Sequence, residues 1–334
     1  MKMRGRDKMD NQNLDKPYLH LLKNISFEPV FILGLHRSGT SILYKMVDST
    51  GHFNSVTVYD IVYYNSLIYN YVKGIEEEKK KELADYFKSK NAIDRVIDKL
   101  EVSPDLPEEY GFHLNKKNPV KGLNKNNFDA FMELCKKIQL TNDSNKKLLL
   151  KNPWDFSNFM FIKRMLPNAK FVFIHRNPLK VINSTLRALR TALKKRSGYY
   201  ELISPDTKKV YENPLIIQGG KLLLYQNLPI AVMIAVEHYR KATQYFLNNI
   251  HYLQEGVDFV EIRYEDLCRE PVICMEKILS FLNIKVDDTE FFSRYVKPRK
   301  LTLSKDVELM KRYIYVRMKR YFSYCGYDLN TPLF

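Results

Sequence analysis

The segment Pro29-Val-Phe-Ile-Leu-Gly-Leu-His-Arg-Ser-Gly-Thr-Ser41 constrains this chain more than any other stretch. Its apolar run, stopped by Gly34, reads as a strand buried on both faces. A helix is expected over 38–48, with Leu43, Met46 and Val47 on one side. Gly34 and Gly39 lie five positions apart, the spacing of the phosphate loop G-x-x-x-x-G-K-[ST]. Glycine is needed there because the backbone must turn sharply and present its N–H groups to a phosphate. The helix that follows adds its positive end to the same site. Thr40 stands where kinases and NTPases carry Lys, which argues against a β/γ-phosphate clamp with its magnesium ion. The nearest cation is instead Arg37.

The rest of the chain alternates in the same way. Strands are expected at Lys147–Leu150, Lys170–Ile174 and Asp258–Ile262. Helices are expected at Asp60–Tyr71, Phe128–Leu140, Asn158–Leu166, Leu179–Lys195, Leu228–Leu247, Pro271–Leu282 and Lys305–Phe322. Such alternation implies an α/β fold, three-layered, with a central parallel sheet covered on both faces. Residues 1–25 read as a polar tail with a short helical end, and 26–334 as one domain with a helical and loop insert at about 60–146. Within that insert, Glu76–Leu100 has the charge pattern of a solvated helical pair, and the Pro- and Gly-bearing stretch 102–127 reads as loop. Residues 196–220 read as a long polar loop, a feature usually tied to function.

Charge and cysteine usage narrow the partners. The 54 Lys and Arg against 38 Asp and Glu give a formal charge of +16, which favours anionic ligands. The basic residues are dispersed, so no nucleic-acid stripe is indicated. The 23 Tyr and 19 Phe suit wide core packing. Cys135, Cys268, Cys274 and Cys325 form no C-x-x-C pair, no cluster of metal-ligating residues stands out, and no metal is expected. Residues 1–24 lack the apolar core of a signal peptide, and the apolar stretch 222–236 is broken by Gln226, Asn227 and Pro229. A cytoplasmic location without a transmembrane segment is the expectation.

Two separated motifs carry a specific resemblance. Arg37-Ser-Gly-Thr-Ser41 after a buried strand resembles the 5′-phosphosulfate loop of the sulfotransferase superfamily. Phe171-Val-Phe-Ile-His-Arg-Asn-Pro, with Ser184 eight residues beyond Arg176, is similar to that superfamily's 3′-phosphate segment. Arg176 at a strand end offers a bidentate fork to a phosphate dianion. Leu148-Leu-Leu-Lys-Asn-Pro153 resembles the segment supplying a catalytic lysine, and Val260-Glu-Ile-Arg-Tyr-Glu-Asp-Leu267 resembles a late family element. The resemblance covers roughly 28–48 and 147–285; His36 departs from the small residue or Pro of the family.

The resemblance implies a sulfotransferase that moves a sulfuryl group from 3′-phosphoadenosine 5′-phosphosulfate to a hydroxyl or amine. It implies donor binding by Arg37, Ser38, Gly39, Thr40, Ser41, Arg176 and Ser184, with Lys151 and Arg37 as the cations of catalysis. The base is less defined. Asp60, in the element after the first helix, is the first choice, with helix capping as its alternative role; Glu108, Glu109 and His113 are the reserves. Lys297, Arg299 and Lys300 form a basic cluster that could close on the donor. The acceptor, whether small molecule, glycan, lipid or peptide, is open. The competing readings are a P-loop nucleotide kinase or phosphotransferase, and a nucleotide-binding scaffold without catalysis.

Overall fold

The architecture follows from five short strands whose side chains are apolar on both faces. In the computed structural model, residues 13–97, 100–117, 120–225, 229–296, 302–329 and 331 are described. Strands β1 (Pro29–Leu33), β2 (Phe53–Ser55), β3 (Lys147–Lys151), β4 (Lys170–His175) and β5 (Phe259–Arg263) form one parallel sheet in the order β2-β3-β1-β4-β5. The central strand β1 pairs Ile32 with Lys151 on one side and Leu33 with Phe173 on the other.

Helices α1 (Thr40–Asp48), α2 (Val58–Val62), α3 (Leu67–Lys73), α4 (Glu76–Ser89), α5 (Gly111–Lys117), α6 (Phe128–Thr141) and α7 (Phe159–Met165) lie in the first half. The second half holds α8 (Pro178–Lys194), α9 (Gly198–Ile203), α10 (Pro205–Glu212), α11 (Pro214–Tyr225) and α12 (Pro229–Asn249). It closes with α13 (Tyr264–Arg269), α14 (Pro271–Phe281), α15 (Lys305–Leu309) and α16 (Lys311–Tyr324). Because strand side chains alternate, Phe31, Leu150, Phe171 and Phe173 face one core with Phe131, Phe159 and Phe246. Val30, Ile32, Leu149, Val172 and Ile174 face the other with Leu43, Met46, Met275 and Ile278. Each buried Phe contributes roughly 1.5–3 kcal/mol. The aromatic excess is core packing, as in the contact of Phe156 with Phe246, whose ring centroids are 5.1 Å apart. The three-layer α/β expectation holds.

Several segment readings are corrected. The stretch 196–220 is not loop: it folds as α9, α10 and most of α11, and Pro205 and Pro214 occupy first-turn positions where a missing N–H costs nothing. The charged stretch 76–100 gives one helix, not two, and then turns inward at Arg95, which is buried. Residues 102–127 include helix α5. The N-terminal segment is anchored where it is described: Asp15 is buried and pairs with Lys137 Nζ at 2.9 Å. That ammonium, also buried, further meets Glu133 at 2.9 Å and the Tyr64 carbonyl at 2.8 Å.

Candidate functional site

All five strands run the same way, so their C-terminal ends share one edge of the sheet, where ligands of open α/β sheets bind. The turn after β1 is built as its glycines foretell. Gly39 has φ 103°, and a Cβ there would lie 2.2 Å from the Tyr264 ring. Arg37 itself takes a left-handed φ of 71°, a strained conformation for a side-chain-bearing residue and one associated with functional sites. Helix α1 opens at Gly39 without a side-chain cap, which leaves its first N–H groups to a ligand.

The second phosphate segment meets this loop directly. Asn177 caps α8 through Oδ1, which accepts from the Leu179 N–H at 3.0 Å, and Pro178 follows at its first position. This leaves Arg176 at the end of β4, facing the loop. Its Nη1 donates to the Arg37 carbonyl at 2.8 Å, and Arg37 Nε donates to Ser184 Oγ at 3.1 Å. The Arg176 guanidinium lies 4.2 Å from the centroid of the Tyr264 ring. Tyr264 thus stands against both the loop and the arginine, and burial raises its hydroxyl to about 12. Among the described residues, Ser38 Oγ and Arg176 Nε are buried without a protein hydrogen-bond partner. Two orphaned donors beside uncapped amides fit a phosphorylated nucleotide.

Lys151, at the end of β3, is fully buried. Its Nζ donates to Ser41 Oγ at 3.1 Å and to Glu109 Oε1 at 2.9 Å. The Lys151 ammonium thus bridges Ser41, in the first turn of α1, and Glu109. Arg37, Gly39, Thr40, Ser41, Glu109, Arg176 and Ser184 all line one cleft of about 930 Å³. Apolar and aromatic side chains of Ile97, Leu100, Phe112, Trp154, Tyr200 and Tyr211 also wall the cleft. Lys121 crosses that wall 4.8 Å from the Trp154 centroid, and burial lowers its ammonium. His36 packs edge-on to Trp154 at 4.6 Å. Burial, then the charges of His238, Lys151, Lys121 and Arg37, push its imidazole down to about 3, so it is neutral.

The four base candidates have different surroundings. Asp60 Oδ2 accepts from the Thr57 N–H and Oγ1, each at 2.8 Å, while Thr57 Oγ1 accepts from the Asp60 N–H. It is the third residue of α2 in a capping box, the alternative role expected of it, and it is not among the residues that line the cleft. Glu108 is buried, accepting from Arg95 Nη1 at 3.0 Å and from the Tyr199 hydroxyl. His113 is buried, its ring 3.8 Å from that of Tyr64. Glu109 is the candidate that reaches the cleft. The cluster Lys297, Arg299 and Lys300 lies outside the described residues. Sequence reasoning missed Tyr264, Lys121 and Trp154 as cleft residues; only the Tyr-Glu-Asp-Leu run marked Tyr264, and without a role.

The profile of the sulfotransferase family matches residues 29–213, more than half of the 334-residue chain. The fold is similar to sulfotransferase STF9 from Mycobacterium avium, at 14% identity and a TM-score of 0.69, with 94% of this chain and 81% of that chain covered. It is also similar to sulfotransferase STF1 from Mycobacterium tuberculosis, at 13% identity and a TM-score of 0.58, with the same coverage. No curated protein sequence matches the chain.

Proposed function

Since the chain belongs to the sulfotransferase family, we propose that its cleft transfers a sulfuryl group from 3′-phosphoadenosine 5′-phosphosulfate to a hydroxyl or amine of an acceptor bound against the aromatic wall. The observation that carries this reading is the joining of two phosphate sites, loop 34–41 and the Arg176/Ser184 pair, through the two Arg37 contacts. One nucleotide with phosphates at both ends of its ribose matches that spacing better than a simple triphosphate.

The residues divide the work by position. Uncapped amides of α1 with Ser38, Thr40 and Ser41 would hold the 5′-phosphosulfate, and Arg176 with Ser184 the 3′-phosphate. Transfer requires neutralisation of the charge that builds on the leaving 5′-phosphate oxygen, a role for Lys151 and Arg37. The acceptor must also lose a proton, and Glu109 is placed for that step. Lys151 Nζ donates to both Ser41 and Glu109. When Lys151 turns to the donor, the Glu109 carboxylate is left free to face the acceptor. Pro153, Trp154 and Phe112 enclose the reacting end from water.

The test is turnover with this donor across a panel of phenols, alcohols and amines, followed by formation of 3′-phosphoadenosine 5′-phosphate. Sulfated product supports the reading. Tight binding of the desulfated nucleotide with no turnover on any acceptor would make the protein a scaffold, and magnesium-dependent ATP turnover a kinase.

A further inference from the structure

Outside the cleft, exposed apolar side chains gather on two neighbouring helices. On α11, Leu215, Leu222 and Tyr225 are 78%, 60% and 43% exposed, at spacings that share one helical face. On α12, Ile230, Met233 and Ile234 are 53%, 43% and 56% exposed, again on one face. The outer helix is held in place: Arg190 Nε donates to the Leu224 carbonyl at 2.7 Å, and the Tyr225 hydroxyl donates to the Arg190 carbonyl at 2.6 Å. A fixed apolar face of this kind marks an interaction site.

Its surroundings identify the partner. Between 187 and 225, Arg187, Lys194, Lys195, Lys208, Lys209 and Lys221 are exposed, against one exposed carboxylate, Glu212. Exposed apolar side chains on helices that also carry, or pack beside helices carrying, exposed ammonium groups complement an anionic lipid surface. Among the described residues no single helix is long and apolar enough to cross a membrane, and an apolar face shared by two short helices suits seating in the interface. The face also adjoins the cleft: Leu189 and Ala192 of α8 and His238 of α12 line it, and Leu189 is itself 47% exposed.

We propose that this face seats on an anionic lipid bilayer, with Leu215, Leu222 and Ile234 entering the acyl boundary and the lysines meeting lipid phosphates. The cleft then opens beside the bilayer, and an acceptor with a lipid tail can reach it without entering bulk water. The seating stands apart from the sulfuryl reaction, whereas the lipid acceptor rests on it.

The experiment is flotation of the full chain with phosphatidylcholine vesicles, with and without phosphatidylserine. The wild-type protein is expected to float with the anionic vesicles. The triple variant Leu215→Asp, Leu222→Asp, Ile234→Asp should lower partitioning by about tenfold or more, and Lys194→Glu with Lys221→Glu should lower it chiefly at low salt. Should the triple variant misfold, Leu215→Asp alone, at the most exposed of the three, should still lower partitioning severalfold. Wild-type protein that fails to float, or variants that float as it does, would overturn the proposal. So would a wild-type dimer in sedimentation equilibrium that the triple variant converts to monomer, which assigns the face to a second copy. Binding of 3′-phosphoadenosine 5′-phosphate, measured on the same samples, separates the two readings. Intact nucleotide binding with no flotation sinks the membrane seating alone, and flotation without nucleotide binding sinks the sulfuryl reading alone.

Discussion

Arg176 donates from Nη1 to the backbone carbonyl of Arg37 at 2.8 Å, so the side chain assigned to one end of the donor also braces the loop assigned to the other. Arg37 returns the connection through Nε to Ser184. Neither phosphate site can be altered without disturbing its neighbour.

Arg176→Ala is therefore expected to weaken 3′-phosphoadenosine 5′-phosphate by roughly 2–5 kcal/mol, the scale of a truncated buried charge pair. Adenosine 5′-phosphosulfate, which lacks the 3′-phosphate, should weaken as well, by about 1 kcal/mol, through the lost brace on Arg37. Calorimetry with both nucleotides measures the difference. Equal losses would mean that Arg176 supports the loop and reads no phosphate.

Lys151 and Glu109 touch, yet their variants should behave differently. Lys151→Ala should lower kcat by about 10²–10³ on every acceptor, because it removes charge stabilisation at the leaving group. Glu109→Gln should lower kcat by about 10²–10⁴ on alcohols and far less on acidic phenols that ionise unaided. An acceptor-independent loss in Glu109→Gln would assign Glu109 to the placement of Lys151 and leave the base elsewhere.

Asp60 should register in stability and not in turnover. Burial pushes its carboxyl up to about 6, against the lowering pull of the Thr57 donors. With an unfolded value of about 4, the folded protein binds more protons than the unfolded chain between those two values. This group's contribution to stability is thus present at lower pH and declines as pH rises through that window. Asp60→Asn removes the decline, so the difference in Tm between variant and wild type should change from about pH 4 to about pH 6 in the variant's favour. Its kcat should stay within a factor of about 2 of wild type, since an Asn side chain can still accept at the helix start. A large loss of kcat with Tm unchanged would restore Asp60 as a catalytic group.

Gly39→Ala tests the loop itself. The new methyl meets the Tyr264 ring at 2.2 Å, at a backbone φ of 103° that side-chain-bearing residues avoid. The strain is on the order of 1–3 kcal/mol, and movement of Tyr264 would also displace Arg176. Nucleotide affinity should fall with a smaller loss in Tm, and Gly39→Ala with wild-type affinity would show that the loop does not contact the ligand.

The sheet and the two segments around Arg37 and Arg176 were legible in the sequence because each couples a buried apolar strand to residues with one conformational use. Gly34 and Gly39 mark a turn, Asn177-Pro178 a helix start, and Arg176 the strand end between them. Strand β2 was not legible, since Phe53-Asn54-Ser55 is too short to show a period. Helices α9 to α11 were hidden by their own start signals: Ser197, Pro205 and Pro214 are helix-initiating residues that, in a polar stretch, also read as loop. The base could not be chosen because Glu108 and Glu109 are neighbours in sequence and part company only in space, one to Arg95 and the other to Lys151. Thr57, three residues before Asp60, was the available sign that Asp60 completes a capping box.

The buried pairing of Asp15 with Lys137 bears on how the protein can be cut. A recombinant fragment begun at Pro29, where the family match starts, would keep Lys137 and discard the more buried of its two carboxylates, leaving Glu133 and the Tyr64 carbonyl to hold a buried ammonium. With one carboxylate left, the loss is smaller than the ~3–5 kcal/mol of a fully broken buried pair, yet it is still weighed against a domain stability of only about 5–15 kcal/mol. The family-matched segment is accordingly shorter than the folding unit, and a soluble truncation must retain the chain from Asp15 onward.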